Sequence, residues 1–200
     1  ELPADMAYEV FVSTTGQVPV RHDLHDLFGS LVWLSFPCIK ATLNAIHAKQ
    51  IEIGGIGSTR GPLRDAAALL DESGALLSVS DSPEGRALVE ALRAHRWREV
   101  LYEHRAVFDE HARVSLFGHA LMQKLAAPYK AITAHVWVSE APREFFQANA
   151  LRQRAWLDKN VAREIATGRP REFRPASFTP LPVLGVPGWW DVQDGEFYDD

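Results

Sequence analysis

Five of the eight histidines sit where an imidazole can do chemistry, beside an element boundary or on a polar face. His25 falls in the first turn of a helix that Asp23 can cap, and Asp26 three residues on comes close to a capping box. A helix N-terminus favours a neutral imidazole, and a neutral histidine can serve as a base or a metal ligand. His22 could share one metal with His25, but no third ligand is supplied locally. His119 follows Gly118, whose missing side chain lets another element pack close. His135 shares one face of an alternating stretch with Thr133 and Trp137. Lys124 and Lys130 belong to the same helix–turn–strand unit, which predicts a polar site shared by these histidines and lysines. His47 lies on a polar helical face with Lys40 and Asn44, at spacings of three and four. His95, His104 and His111 sit among charges and read as surface residues.

The segment Arg60-Gly61-Pro62-Leu63-Arg64-Asp65 is the anion-binding candidate. Two guanidiniums four residues apart on a glycine-fed loop suit bidentate contact with phosphate or carboxylate. The plain alternative is a loop tied down by an Arg64–Asp65 pair. Asp71-Glu72 could work as a carboxylate pair. With Ser73-Gly74 between two apolar runs, however, the stretch reads first as the tip of a β-hairpin. Residues 143–174 carry eight basic groups against four acids. That surplus is mixed around a helix and reads as a solvated face rather than a nucleic-acid surface. The sequence holds no phosphate-loop, dinucleotide, zinc-protease or nucleophile-elbow motif.

Several elements must position these residues. Residues 8–21 open on a run of β-formers, turn at Thr15-Gly16 and stay extended at Pro19. Leu24, Leu27, Phe28, Leu31 and Val32 predict one helical face; after Pro37 a second helix, about 38–50, buries Ile39, Leu43 and Ile46. Ser82-Pro83 starts a helical pattern that continues with interruptions to about Ala127. Residues 131–139 alternate as a strand, and a long helix spans roughly 142–167. Pro175, Pro180, Pro182 and Pro187 make 173–190 an extended arm. The expected class is α+β: one helix-dominated domain over 1–200 with a small β-hairpin or antiparallel sheet. Residues 173–200, a Pro-rich arm and acidic tail, pack on it.

Composition narrows the partners. A hydrophobic fraction of 46% in 200 residues can bury a real core. The formal charge of −5 comes from 21 basic and 26 acidic residues. Asp191, Asp194, Glu196, Asp199 and Asp200 account for all of it, so the rest of the chain is balanced and global charge selects no partner. A single cysteine, Cys38, excludes an internal disulfide and a Cys-rich zinc site. It favours a reducing compartment, with the cytoplasm as default. No apolar run approaches the ~18 residues of a membrane span, so a membrane is not expected as a partner.

With these segments in view, the sequence resembles a bacterial family of domains of unknown function, numbered 3025. The likeness starts at His25-Asp26-Leu27-Phe28, Leu31-Val32-Trp33-Leu34, Phe36-Pro37, Lys40 and Leu43-Asn44. It continues through Arg60-Gly61-Pro62-Leu63-Arg64-Asp65 and Asp71-Glu72. It resumes at Phe117-Gly118-His119-Ala120-Leu121, Lys124, Pro128 and Ile132-Thr133-Ala134-His135. Phe178-Thr179-Pro180-Leu181-Pro182-Val183-Leu184-Gly185-Val186-Pro187-Gly188-Trp189-Trp190 and Phe197-Tyr198-Asp199-Asp200 complete it, so nearly the whole chain is covered. The resemblance implies members that extend beyond both ends, and it implies no activity. His22 and Tyr129 depart from the pattern, which has an amide or acid and a basic residue there. This leaves His25, His119 and His135 as the better trio.

Three readings are open. In the first, a metal-dependent or histidine-based hydrolase, the trio converges, in the metal version on a divalent zinc or manganese ion. Asp26 orients one imidazole or joins the ligands, while Arg60, Arg64, Lys124 and Lys130 hold a small anionic, phosphate-bearing substrate. In the second, the arginine loop and the Lys40–Asn44–His47 face make a non-catalytic module for a protein, nucleotide or nucleic acid. In the third, His25, Arg64, His119 and His135 form a buried polar network that fixes the fold. The first is the preferred expectation, with nucleic acid the less favoured partner and the oligomeric state undetermined.

Overall fold

Apolar residues on both faces of the central strands require helices on each side of the sheet. In the computed structural model, which describes residues 2–4, 6–55, 61–168 and 172–199, four strands form one sheet. They are β1 (Gly74–Ser80), β2 (Ala112–Leu116), β3 (Thr133–Ala141) and β4 (Thr179–Pro182), in the order β2-β1-β3-β4. β1 runs antiparallel to β2 and parallel to β3, and β3 runs antiparallel to β4. The fold is helix-dominated α+β as expected, but the sheet is mixed rather than antiparallel. The long β1–β3 connection, which carries helices of its own, permits the parallel pairing.

The helices are α1 (Tyr8–Thr15), α2 (Leu24–Ser35), α3 (Pro37–Gly54), α4 (Pro62–Ser73), α5 (Pro83–Arg93), α6 (Arg105–His111), α7 (His119–Lys124), α8 (Arg143–Gln147) and α9 (Ala150–Thr167). Leu76 of β1 packs with Val32, Ile39, Leu70, Phe117 and Val161 on one side of the sheet. Its neighbours Leu77 and Val79 pack with Leu88, Leu92, Leu101 and Val136 on the other. Leu76 and Leu77 have no exposed surface, and a side chain so buried stabilises by roughly 1.5–3 kcal/mol relative to exposure. Asp158 of α9 caps α3 from a distance, its carboxylate accepting the N–H groups of Cys38 at 3.1 Å and Ile39 at 2.9 Å. Among the described residues no helix is long and apolar enough to cross a membrane.

Four local expectations are corrected. The β-formers near Tyr8 lie in α1, where Phe11 and Val12 are buried, so tertiary packing outweighs intrinsic β-preference. Asp71-Glu72 is not a hairpin tip: α4 runs through Ser73 and passes directly into β1 at Gly74. The helical pattern after Ser82 is interrupted as expected, at a π-helical turn over Glu99–Glu103, but it also contains the strand β2, which the helical reading of this stretch did not anticipate. The Pro-rich arm does wrap the body, but Leu181 and its neighbours add β4 to the sheet edge. There Pro180 and Pro182 occupy an edge strand, the place in a sheet where proline is tolerated.

Candidate metal centre

Three helices each bring one ligand-type side chain to a common point. Asp23 caps α2 by accepting the backbone N–H of Asp26 at 2.8 Å, which sets His25 in the first turn. Glu72 stands at the end of α4, just before β1. His119 is the first residue of α7, after Gly118 at the N-cap. The Gly118 N–H donates to the Gly74 carbonyl at 2.7 Å. A Cβ at Gly118 would lie 2.5 Å from both the Glu72 carbonyl oxygen and the Gly74 nitrogen. The bare backbone of Gly118 therefore lets α7 begin against the end of α4, beside Glu72.

His25 Nε2 lies 3.0 Å from His119 Nε2, and Glu72 Oε2 lies 3.5 Å from that same His119 nitrogen. One donor atom from each of these three residues lies within 4.8 Å of the others. Donors bound to one tetrahedral zinc at ~2.0–2.2 Å stand about 3.3 Å apart, so the spacing suits a single small cation. Outer contacts orient the rings. His25 Nδ1 faces Gln123 Oε1 at 3.3 Å; a carbonyl oxygen only accepts, which places the proton on Nδ1 and turns the Nε2 lone pair inward. His119 Nδ1 is buried without a hydrogen bond and faces Asp71 Oδ2 at 3.9 Å. Asp71 is itself held by Lys40 Nζ at 2.6 Å. Two inward lone pairs and a carboxylate repel one another unless a proton or a cation lies between them.

The donors border a cavity of about 680 Å³. Lys40, Asn44 and His47 of α3, each less than a tenth exposed, form part of its lining. Tyr8 and Trp33 face it as well, and the Lys40 ammonium stands 5.2 Å from the centre of the Trp33 ring. Burial raises the Tyr8 phenol above its ordinary value, with Asp71, Asp26 and Glu9 adding to the rise. Tyr8 is thus a protonated donor at neutral pH. The His119 side chain is almost wholly buried and that of Glu72 half exposed, which puts the centre between core and solvent.

His25 and His119 are the two predicted residues that meet here. His135 does not join them. Its strand register sets it beside Gly74 and Pro180, outside both the donor group and the cavity lining. Asp26 lines the cavity, but its carboxylate is taken by Arg21, whose backbone N–H and Nε donate to Oδ2 at 2.5 and 3.2 Å. The Arg21 guanidinium holds Asp26 below the usual carboxylate range, and the partner of His25 is Gln123 instead. Arg64 is half-buried in the first turn of α4, and Lys124 and Lys130 are exposed. None of these three lines the cavity, and Arg60 lies outside the described residues. His111, read as a surface group, shares a hydrogen bond with Ser80 Oγ at 2.9 Å. Asp71 and Glu72, weighed in the sequence as a carboxylate pair but ranked below a hairpin tip, both stand at the site. Gln123 was not singled out, although it lies one helical turn after His119.

His135 has a separate, testable consequence. Burial lowers its pKa below the usual 6.5, with Lys124 adding to the effect. The unfolded chain therefore takes up this proton before the folded chain does. Its contribution to stability is complete above pH 6.5 and is lost as pH falls from 6.5 through the folded value. Urea midpoints of metal-free protein are expected to fall less steeply below pH 6.5 in His135→Gln than in the parent. A steeper fall in the variant would contradict this.

Among known families, the model described as "Protein of unknown function (DUF3025)" matches residues 1–200, the whole chain. No curated protein and no solved structure matches it.

Proposed function

The chain belongs to the DUF3025 family, and from the arrangement of its site we propose that it is a metal-dependent hydrolase. The supporting observation is the convergence of His25, Glu72 and His119 at the edge of a cavity of about 680 Å³. Structural zinc sites are closed by four protein ligands, whereas catalytic ones keep three and leave a position open. Two imidazoles and one carboxylate make a donor set of the second kind, suited to zinc and other first-row divalent ions. A divalent ion there supplies Lewis acidity, polarising a substrate oxygen and lowering the pKa of bound water toward neutrality.

The remaining chemistry belongs to the chain. Gln123 meets the His25 ring from outside, and Asp71 faces the outer nitrogen of His119 at 3.9 Å. Lys40 holds Asp71 in place, while Tyr8 offers a phenolic proton inside the cavity. Glu72, half exposed, can accept a proton from attacking water through the carboxylate oxygen that does not face His119.

The full chain with one equivalent of zinc is expected to hydrolyse p-nitrophenyl acetate or bis-p-nitrophenyl phosphate. A chelator should return the rate to background, as should Glu72→Gln in protein whose circular dichroism matches the parent. Zinc-loaded protein that turns over neither compound, or a Glu72→Gln variant as active as the parent, would refute the proposal.

A further inference from the structure

Substrate class is written in the charges of the cavity wall. Arg21 and Lys40 are the Lys and Arg side chains that line it among the described residues. Each is already paired with a carboxylate. Lys40, 6% exposed, holds Asp71 at 2.6 Å; Arg21 is joined to Asp26 through its backbone N–H, Nε and Nη2. Four carboxylates, those of Glu9, Asp26, Asp71 and Glu72, stand against these two cations, a formal balance of −2. A divalent ion at the centre brings the wall to zero. A phosphate monoester dianion would then return two negative charges to a half-enclosed space that has no unpaired guanidinium or ammonium among the described residues to meet them.

Beside these charges and the polar groups of Tyr8, Ser30, Asn44 and His47, the wall has an apolar side. Val18, Pro19, Leu43 and Trp33 line the same cavity, and its size falls within the range that encloses a small organic ligand. We infer that the centre takes an uncharged acyl compound, a carboxylic ester or amide with an apolar acyl chain, rather than a phosphate-bearing anion. The inference rests on the metal-centre reading above. In the reaction, water oxygen bonds to the acyl carbon and the C–O or C–N bond to the leaving group breaks. The products are a carboxylic acid and an alcohol or amine, with one water proton passing to the leaving group. Carbonyl oxygen and attacking water need only the ion and the Tyr8 and Glu72 side chains. The acyl chain lies along Trp33 and Leu43.

Binding to the full chain loaded with cobalt, read through its visible absorption bands, separates the cases. Octanohydroxamate, an acyl mimic with an apolar tail, is expected to saturate the spectral change. It should bind roughly tenfold or more tightly than acetohydroxamate, as burial of several methylenes gives. Phenyl phosphate should bind at least tenfold more weakly than octanohydroxamate. Trp33→Ala should erase much of the preference for the longer hydroxamate while leaving acetohydroxamate affinity within about twofold. Phenyl phosphate binding as tightly as octanohydroxamate would overturn the inference and leave the metal centre standing, as would hydroxamates of equal affinity or no response from any of these compounds. If cobalt itself gives no spectrum that depends on His25 and His119, the centre fails, and this inference with it.

Discussion

Zinc is expected to raise the melting temperature of the full chain by roughly 5–10 °C when its free concentration is 100 times the dissociation constant. The figure follows from linkage: binding the folded state alone stabilises by about 2.7 kcal/mol at that excess. Each kcal/mol moves a domain of this size by about 2–4 °C. The effect should vanish in His119→Ala and in Glu72→Gln. The physical reason lies in the orientation of the two rings. Gln123 Oε1 faces His25 Nδ1 at 3.3 Å, and Asp71 Oδ2 faces His119 Nδ1 at 3.9 Å. Both Nε2 atoms therefore point at each other across 3.0 Å, with Glu72 3.5 Å away. If one shared proton were the native solution, zinc would have to displace it from a satisfied pair, and neither substitution would change the response to metal. With an ion as the native solution, loss of Gln123 should also matter. Gln123→Ala removes an outer partner of a ligand and is expected to weaken zinc 10–100-fold, measurable by competition with a chromogenic chelator. Zinc that leaves the melting temperature of the parent unchanged would exclude the centre.

How much of this was readable from the sequence depends on which interactions are local. The capped start of α2, with Asp23 ahead of His25, follows from residues three apart, and the structure has that cap at 2.8 Å. The alternation along β3 was legible for the same reason. Asp71-Glu72 was misread because Asp-x-x-Gly suits a turn as well as a helix end. The choice is made by Leu70 and Phe117, which bury α4 in the core, and not by the four residues themselves. His135 was drawn into the site through its position near His119 in the chain, yet the pleat and register of a strand decide where it stands. Charge was the least transferable signal. Arg64, Lys124 and Lys130 are the right residue types for an anion site, but only three-dimensional packing shows that the cavity is lined by Arg21 and Lys40, each already paired. Asp158 shows the same limit. Its capping of α3 spans 119 and 120 residues, beyond any local pattern.

Gly118→Ala is expected to damage stability and metal affinity together, although it adds a single methyl group. The backbone at Gly118 has φ −60° and ψ 118°, a conformation alanine adopts freely, so no penalty arises from the dihedral angles. The obstacle is what the new Cβ would meet: the Glu72 carbonyl oxygen and the Gly74 nitrogen at 2.5 Å and the Glu72 carbonyl carbon at 2.7 Å. All are main-chain atoms, and no rotamer change can move them aside. Relief requires α7 to withdraw from the α4–β1 junction, breaking the Gly118 N–H bond to the Gly74 carbonyl. Overpacking of a rigid site costs ~1–3 kcal/mol and occasionally more; contact with backbone on two sides places this one near 3 kcal/mol, or about 6–12 °C. The same withdrawal carries His119 away from Glu72, so zinc affinity should fall tenfold or more even in the variant molecules that remain folded. Gly29→Ala supplies the contrast. Gly29 lies inside α2, and a methyl group added there would meet nothing within 4 Å. Alanine at that position should stabilise the helix by about 0.5–1 kcal/mol without altering zinc binding. Thermal melts and chelator competition on both variants would decide the matter. A Gly118→Ala protein as stable and as zinc-avid as the parent would mean that close approach of α7 to the α4–β1 junction does not assemble the centre.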